Sequence, residues 1–237
     1  MTVGVFGDSF AEIVTYPNPD RCQGWSELLK TLYQYNIQNF AYGSTSLFWA
    51  YQQLINNIDQ CDTVIFVPSD RGRLYWPDTS DLCRVSSFYS VKNILDTELN
   101  RPASEMTIFK AAEQYYLHLS NNDFDVFVHT QIINAVKKLC NERKKQLILI
   151  PAFDINIEHQ SVFRCSLFQV LFKELATQFN DQEYRPERYT RANHMSQANN
   201  LALAKIVDKL LNNEQISVSL NDFVFQKVSN PELFWSI

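Results

Sequence analysis

Four short apolar runs recur along the chain, at residues 2–6, 37–42, 63–67 and 146–151, and each is followed by a turn signal and then by apolar positions at helical spacing. Runs of this length rich in β-branched and aromatic residues read as strands. The helical periodicity predicts helices over residues 25–35, 47–58, 106–119, 124–143, 162–179 and 197–211. In the 124–143 stretch Phe124, Val128, Ile132, Val136 and Leu139 share one side, and Leu201, Leu203, Ala204, Ile206, Val207 and Leu210 recur in the last helix. Strands alternating with helices imply a three-layer α/β/α sandwich with a mainly parallel, flavodoxin-like sheet. In open parallel sheets ligands bind beyond the C-terminal strand ends. Ser9, Gly43, Asp70 and Asp154 all fall at such ends.

Two stretches break the alternation. Residues 70–105 run longer than a strand-to-helix connection needs, and hold Arg71, Arg73, Tyr75, Trp76, Phe88 and Tyr89. A long insertion at this edge serves as a binding loop or lid, or as an irregular cover of the sheet. Arg71, Arg73, Tyr75 and Trp76 are its candidate substrate contacts. Residues 213–237 carry Val218, Leu220, Phe223, Val224, Phe225, Leu233, Phe234, Trp235 and Ile237 without helical period. A segment this apolar is expected to pack on its own domain or dock on a partner subunit, another copy or an assembly component. The expected organisation is one domain over 1–212, with 70–105 as its insertion or lid, and an aromatic extension over 213–237.

The chemistry concentrates at the two ends of that domain. Gly7-Asp8-Ser9-Phe10 directly follows the first apolar run, which puts a serine at the mouth of a strand. There its hydroxyl can stand exposed beside free N–H donors, which suits a nucleophile, although the same tetrapeptide is also ordinary turn chemistry. Asn193-His194-Met195-Ser196 opens the last helix, so a histidine is held just ahead of an element that can pack on the body of the domain. Gly43 lies between them in Asn39-Phe40-Ala41-Tyr42-Gly43-Ser44, after the second strand.

This order, Gly-Asp-Ser, then Gly, then a late His before an amphipathic helix, resembles the SGNH, or GDSL-type, hydrolase family over residues 2–211. The resemblance implies that Ser9 is the nucleophile and His194 the base, and that the N–H groups of Ser9 and Gly43 hold the oxyanion of an ester hydrolase or transacylase. It also implies carbohydrate or lipid esters as substrate classes. Two positions depart from the family pattern. Where the third block, Gly-x-Asn-Asp, carries its oxyanion-hole asparagine, Pro68-Ser69-Asp70-Arg71 presents Asp70. An ionised carboxylate cannot donate and repels a developing oxyanion. Where the last block, Asp-x-x-His, carries a carboxylate, this chain has Arg191. The imidazole is then oriented by a backbone carbonyl or by a carboxylate from elsewhere, with Asp154, Asp181, Glu183 and Glu187 as candidates. These departures leave a second reading, a catalytically weakened scaffold serving as a binding or structural module of a larger assembly such as a virus particle.

Composition narrows the classes further. With 237 residues, 46% of them hydrophobic, and no Pro/Gly/Ser-rich linker, the chain can bury one substantial core. A net charge of −5 argues against a general nucleic-acid binder, and Arg185, Arg188 and Arg191 among Glu183 and Glu187 read as a solvated loop. Five scattered cysteines without a Cys-x-x-Cys pair indicate free thiols in a reducing compartment rather than a disulfide framework or a zinc site. No leader pattern or membrane-length apolar segment stands out, so a cytoplasmic protein is expected, or a virion-associated one on the second reading. His118, His129 and His159 share no ligand spacing, and no phosphate-cradling glycine motif occurs, so neither a metal nor a nucleotide cofactor is expected.

Overall fold

Side-chain alternation along the central strands decides which way each face of the sheet is covered. In β3 (Thr63–Phe66), Val64 and Phe66 enter one apolar cluster while Ile65, with Val67 just beyond, enters another. The same split runs through β1 (Thr2–Phe6), where Val3 and Val5 face one way and Phe6 the other, and through β4 (Gln146–Leu149), where Ile148 opposes Leu147 and Leu149. A strand apolar on both sides needs helices on both sides. The computed structural model describes residues 1–13, 22–77, 80–98, 100–153, 162–178 and 193–225. In it, α1 (Trp25–Leu32), α6 (Leu167–Gln178) and α7 (Gln197–Leu211) contribute to the first cluster, and α2 (Leu47–Asn57) and α5 (Asn122–Glu142) to the second. With β2 (Asn36–Asn39) the sheet runs in the order β2-β1-β3-β4, parallel throughout. The expected three-layer α/β/α sandwich is therefore the observed fold.

Local chemistry sets the element ends. Ser46 caps α2 by accepting the Trp49 N–H at 3.3 Å, and Asn121 caps α5 by accepting from Asp123 and Phe124 at 2.9 and 3.1 Å. The second strand ends at Asn39, short of the expected 42, because Asn39 Oδ1 accepts the Ala41 N–H at 2.9 Å and turns the chain. It still tracks β1 beyond that point, with Phe40 N–H donating to Val5 O and Tyr42 N–H to Gly7 O. Helix α6 starts at Leu167, not at 162, because Val162 and Arg164 bond to Val218 on both sides of a parallel bridge between Phe163 and Val218.

The 70–105 stretch contains a helix that hydrophobic spacing did not reveal, α3 (Phe88–Thr97). It packs on α4 (Ala103–His118), and Val85, Val91, Ile94, Phe109 and Ala112 form a small cluster apart from the two sheet faces. Of the 213–237 stretch, Val218 and Phe223 are buried in the α1/α7 face of the core, and residues 226–237 lie outside the described set. Among the described residues, no helix is long and apolar enough to cross a membrane, and no group of three or more His, Cys, Asp or Glu could hold a metal ion.

Candidate active site

Beyond the end of β1 the chain passes so close to β3 that position 7 admits only glycine. A Cβ there would lie 2.7 Å from the Val67 carbonyl oxygen and 2.8 Å from its Cβ. Asp8 then closes a tight turn on itself, its carbonyl accepting from Ala11 at 2.9 Å and Glu12 at 3.0 Å and its Oδ1 from Phe10 at 3.1 Å. Ser9 sits at the tip of this turn, half-buried. Trp25 of α1 fixes the turn from beneath by donating its indole N–H to Phe10 O at 2.8 Å.

The histidine arrives from the far end of the chain. Asn193 and His194 both have left-handed backbone, with φ of 52° and 62°, a conformation asparagine tolerates better than most residues. The Asn193 amide Nδ2 donates to Ser9 O at 3.2 Å and Glu12 O at 2.9 Å, so the histidine turn is bonded directly to the serine turn. His194 Nε2 lies 2.7 Å from Ser9 Oγ. With its proton on Nδ1, the ring accepts the serine hydroxyl. The Phe10 ring lies 4.7 Å from the imidazole, centroid to centroid, and limits its rotation. Behind it, Ser196 caps α7, and the fully buried Glu174 of α6 accepts from Ser196 N at 3.2 Å, from Ser196 Oγ at 2.5 Å and from Asn199 Nδ2.

Gly43 completes the group. A Cβ built on it would stand 3.6 Å from Ser9 Cβ and 2.6 Å from Glu12 Oε2, so the turn after β2 rests against the serine turn. The helical insertion holds this turn in place, for Ser86 Oγ donates to Ser44 O and the Ser86 carbonyl accepts from Leu74 N at 3.1 Å. Asp70 takes another direction. Its side chain is exposed, and Oδ1 accepts the Gly72 N–H of its own loop at 3.0 Å. Nearby, His129 of α5 is buried with Nε2 3.2 Å from Ser69 O, and burial pushes its pKa below the ordinary 6.5.

Three comparisons frame this geometry. No protein-family model matches the chain, and no curated protein sequence matches it. Among solved structures it is similar to a psychrotrophic esterase from Pseudoalteromonas sp. inhibited by monoethylphosphonate, at 14% identity over 90% of this chain and 99% of that one, with a TM-score of 0.33. An acetyl xylan esterase aligns at 14% identity over 89% of this chain and 100% of its own, TM-score 0.36. A lipase/acylhydrolase from Enterococcus faecalis aligns at 10% identity over 96% and 99%, TM-score 0.35.

Of the residues singled out in the sequence, the structure brings Ser9, His194 and Gly43 together. Of the proposed substrate contacts, Arg73 reaches this group through Asp8. Tyr75 donates its hydroxyl to Gln52 at 2.8 Å on α2, Trp76 packs on the α3/α4 cluster, and Arg71 is exposed on the side of Asp125 and His129. Asp154, His159, Asp181, Glu183, Arg185, Glu187, Arg188 and Arg191 lie outside the described residues. Sequence reasoning missed Glu12, Glu174 and the bridging role of Asn193. Only Asn193 left a signal, as a polar neighbour of the histidine.

Proposed function

We propose that this chain is a divergent SGNH-type serine ester hydrolase with Ser9 as nucleophile and His194 as base. The observation that carries the reading is the 2.7 Å approach of His194 Nε2 to Ser9 Oγ at the C-terminal edge of a parallel sheet. The base takes the hydroxyl proton as Ser9 Oγ adds to the ester carbonyl carbon, and the carbonyl oxygen becomes an oxyanion. The Ser9 and Gly43 peptide N–H groups are its proposed donors, each contributing on the order of 3 kcal/mol to the transition state. Collapse of the tetrahedral intermediate expels the alcohol, which takes the proton from the imidazolium and leaves an acyl-serine. Water, or another acceptor alcohol in a transacylase, then adds to the acyl carbon as His194 removes its proton, and Ser9 is regenerated. An ester of a carbohydrate or a lipid is the proposed substrate class.

A fluorophosphonate that reacts with activated serines tests this, read by intact mass. One adduct is expected on wild type and none on Ser9→Ala. His194→Gln should react at least about a hundredfold more slowly, the scale of a lost general base. Absence of any adduct on folded wild type at high reagent would remove Ser9 as a nucleophile.

A further inference from the structure

Among the described residues, four loops leave the C-terminal ends of the four strands, and one side chain reaches all of them. Arg73 stands on the loop after β3. Its Nη2 lies 3.6 Å from Asp8 Oδ2 after β1, and its Nη1 donates to Thr45 O at 3.1 Å after β2. Its guanidinium carbon is 5.7 Å from the ring centroid of Phe153 after β4. Asp8 is fully buried and the Arg73 side chain is 14% exposed. Asp8 Oδ2 makes no hydrogen bond among the described residues. A carboxylate oxygen in that state is tolerable only beside a cation.

The two anchoring points matter for what adjoins them. Asp8 immediately precedes Ser9, and Thr45 lies two residues past Gly43. Both turns that carry the proposed oxyanion donors are thus fastened to a single planar group, whose fork fixes their separation as a point charge would not. The segment that supplies it is the one in which Asp70 faces its own loop and donates nothing to the site.

We propose that Arg73 is the positioning residue of the oxyanion pocket, holding the Ser9 and Gly43 turns at the spacing that lets both peptide N–H groups reach one oxygen. This rests on the Ser9 reading above. The alternative, an arginine that contacts substrate, makes the opposite kinetic signature.

The test measures kcat and KM on a short activated ester, with Ser9 fluorophosphonate labelling in parallel, for wild type, Arg73→Lys and Arg73→Ala. A misplaced pocket predicts a kcat loss between about tenfold and a hundredfold in Arg73→Lys with KM within about twofold. Free guanidinium at millimolar concentration should recover part of the Arg73→Ala rate. If Arg73→Ala does not fold, Arg73→Lys alone carries the test, since it keeps the charge beside Asp8. Unchanged kcat with normal Ser9 labelling overturns the Arg73 assignment and leaves the Ser9 reading standing, and so does a raised KM at unchanged kcat. Failure of wild type to label overturns both.

Discussion

A serine hydroxyl becomes a nucleophile only while a base holds its proton in line, and on the proposed reading Asn193 keeps Ser9 and His194 in register. Its side-chain amide spans the serine turn at Ser9 O and Glu12 O, while its own backbone adopts φ 52°. Asn193→Ala loses both bonds and takes on left-handed strain, at about 2 kcal/mol of stability. Asn193→Gly relieves the strain but not the lost bonds. A kcat drop shared by both variants, with a larger melting-temperature loss in the alanine one, is the expected pattern. The Glu12 carboxylate sits against Gly43. Asp70→Asn should leave turnover unchanged in the same ester assay, because Asp70 bonds to its own loop. The sequence made Ser9, Gly43 and His194 legible because each belongs to a short motif in a fixed order. Glu12 and Glu174 were illegible for a physical reason. A glutamate reads as solvated wherever it stands in a chain, and only tertiary packing turned one toward Gly43 and buried the other under α7.

At the scale of elements, the strands and the long helices were readable because burial on two faces leaves a continuous apolar run and burial on one leaves a period. Helix α3 escaped because it buries little besides Val91 and Ile94, against α4 rather than the sheet. The start of α6 was misplaced because the apolar residues ahead of it serve the bridge to Val218. One inter-element contact has a pH consequence. His129 joins α5 to the loop after β3, donating from Nε2 to Ser69 O, and is buried, with Asp70 favouring its charged form and Arg71 opposing it. Burial dominates and lowers its pKa below 6.5, so below that value the unfolded chain binds the proton more readily than the folded one. Stability from this group is therefore complete above the ordinary histidine range and lost as pH falls through it. Thermal melts between pH 7.5 and 5 should show a declining midpoint that flattens in His129→Gln.

At the scale of the whole molecule, the core on the α1/α7 face is closed by residues past the last helix. Phe223 and Val218 are buried there, and Val224 is held by Asn199, whose Oδ1 accepts its N–H at 2.6 Å. Phe223→Ala should cost about 3 kcal/mol and lower the melting temperature by about 10 °C in a chain of this size. Scanning calorimetry beside wild type measures it.

The contact between Ser9 and His194 joins positions 185 residues apart, across almost the full length of the domain. Synthesis proceeds from the N-terminus, so the turn bearing the serine is complete long before the histidine leaves the ribosome. Until α7 settles against α1, Ser9 has no partner for its proton, and a nascent or half-assembled chain carries a harmless alcohol. On the reading proposed above, reactivity at Ser9 is a clock for the final docking event. Its onset during refolding should lag the appearance of secondary structure by the time the last helix takes to seat.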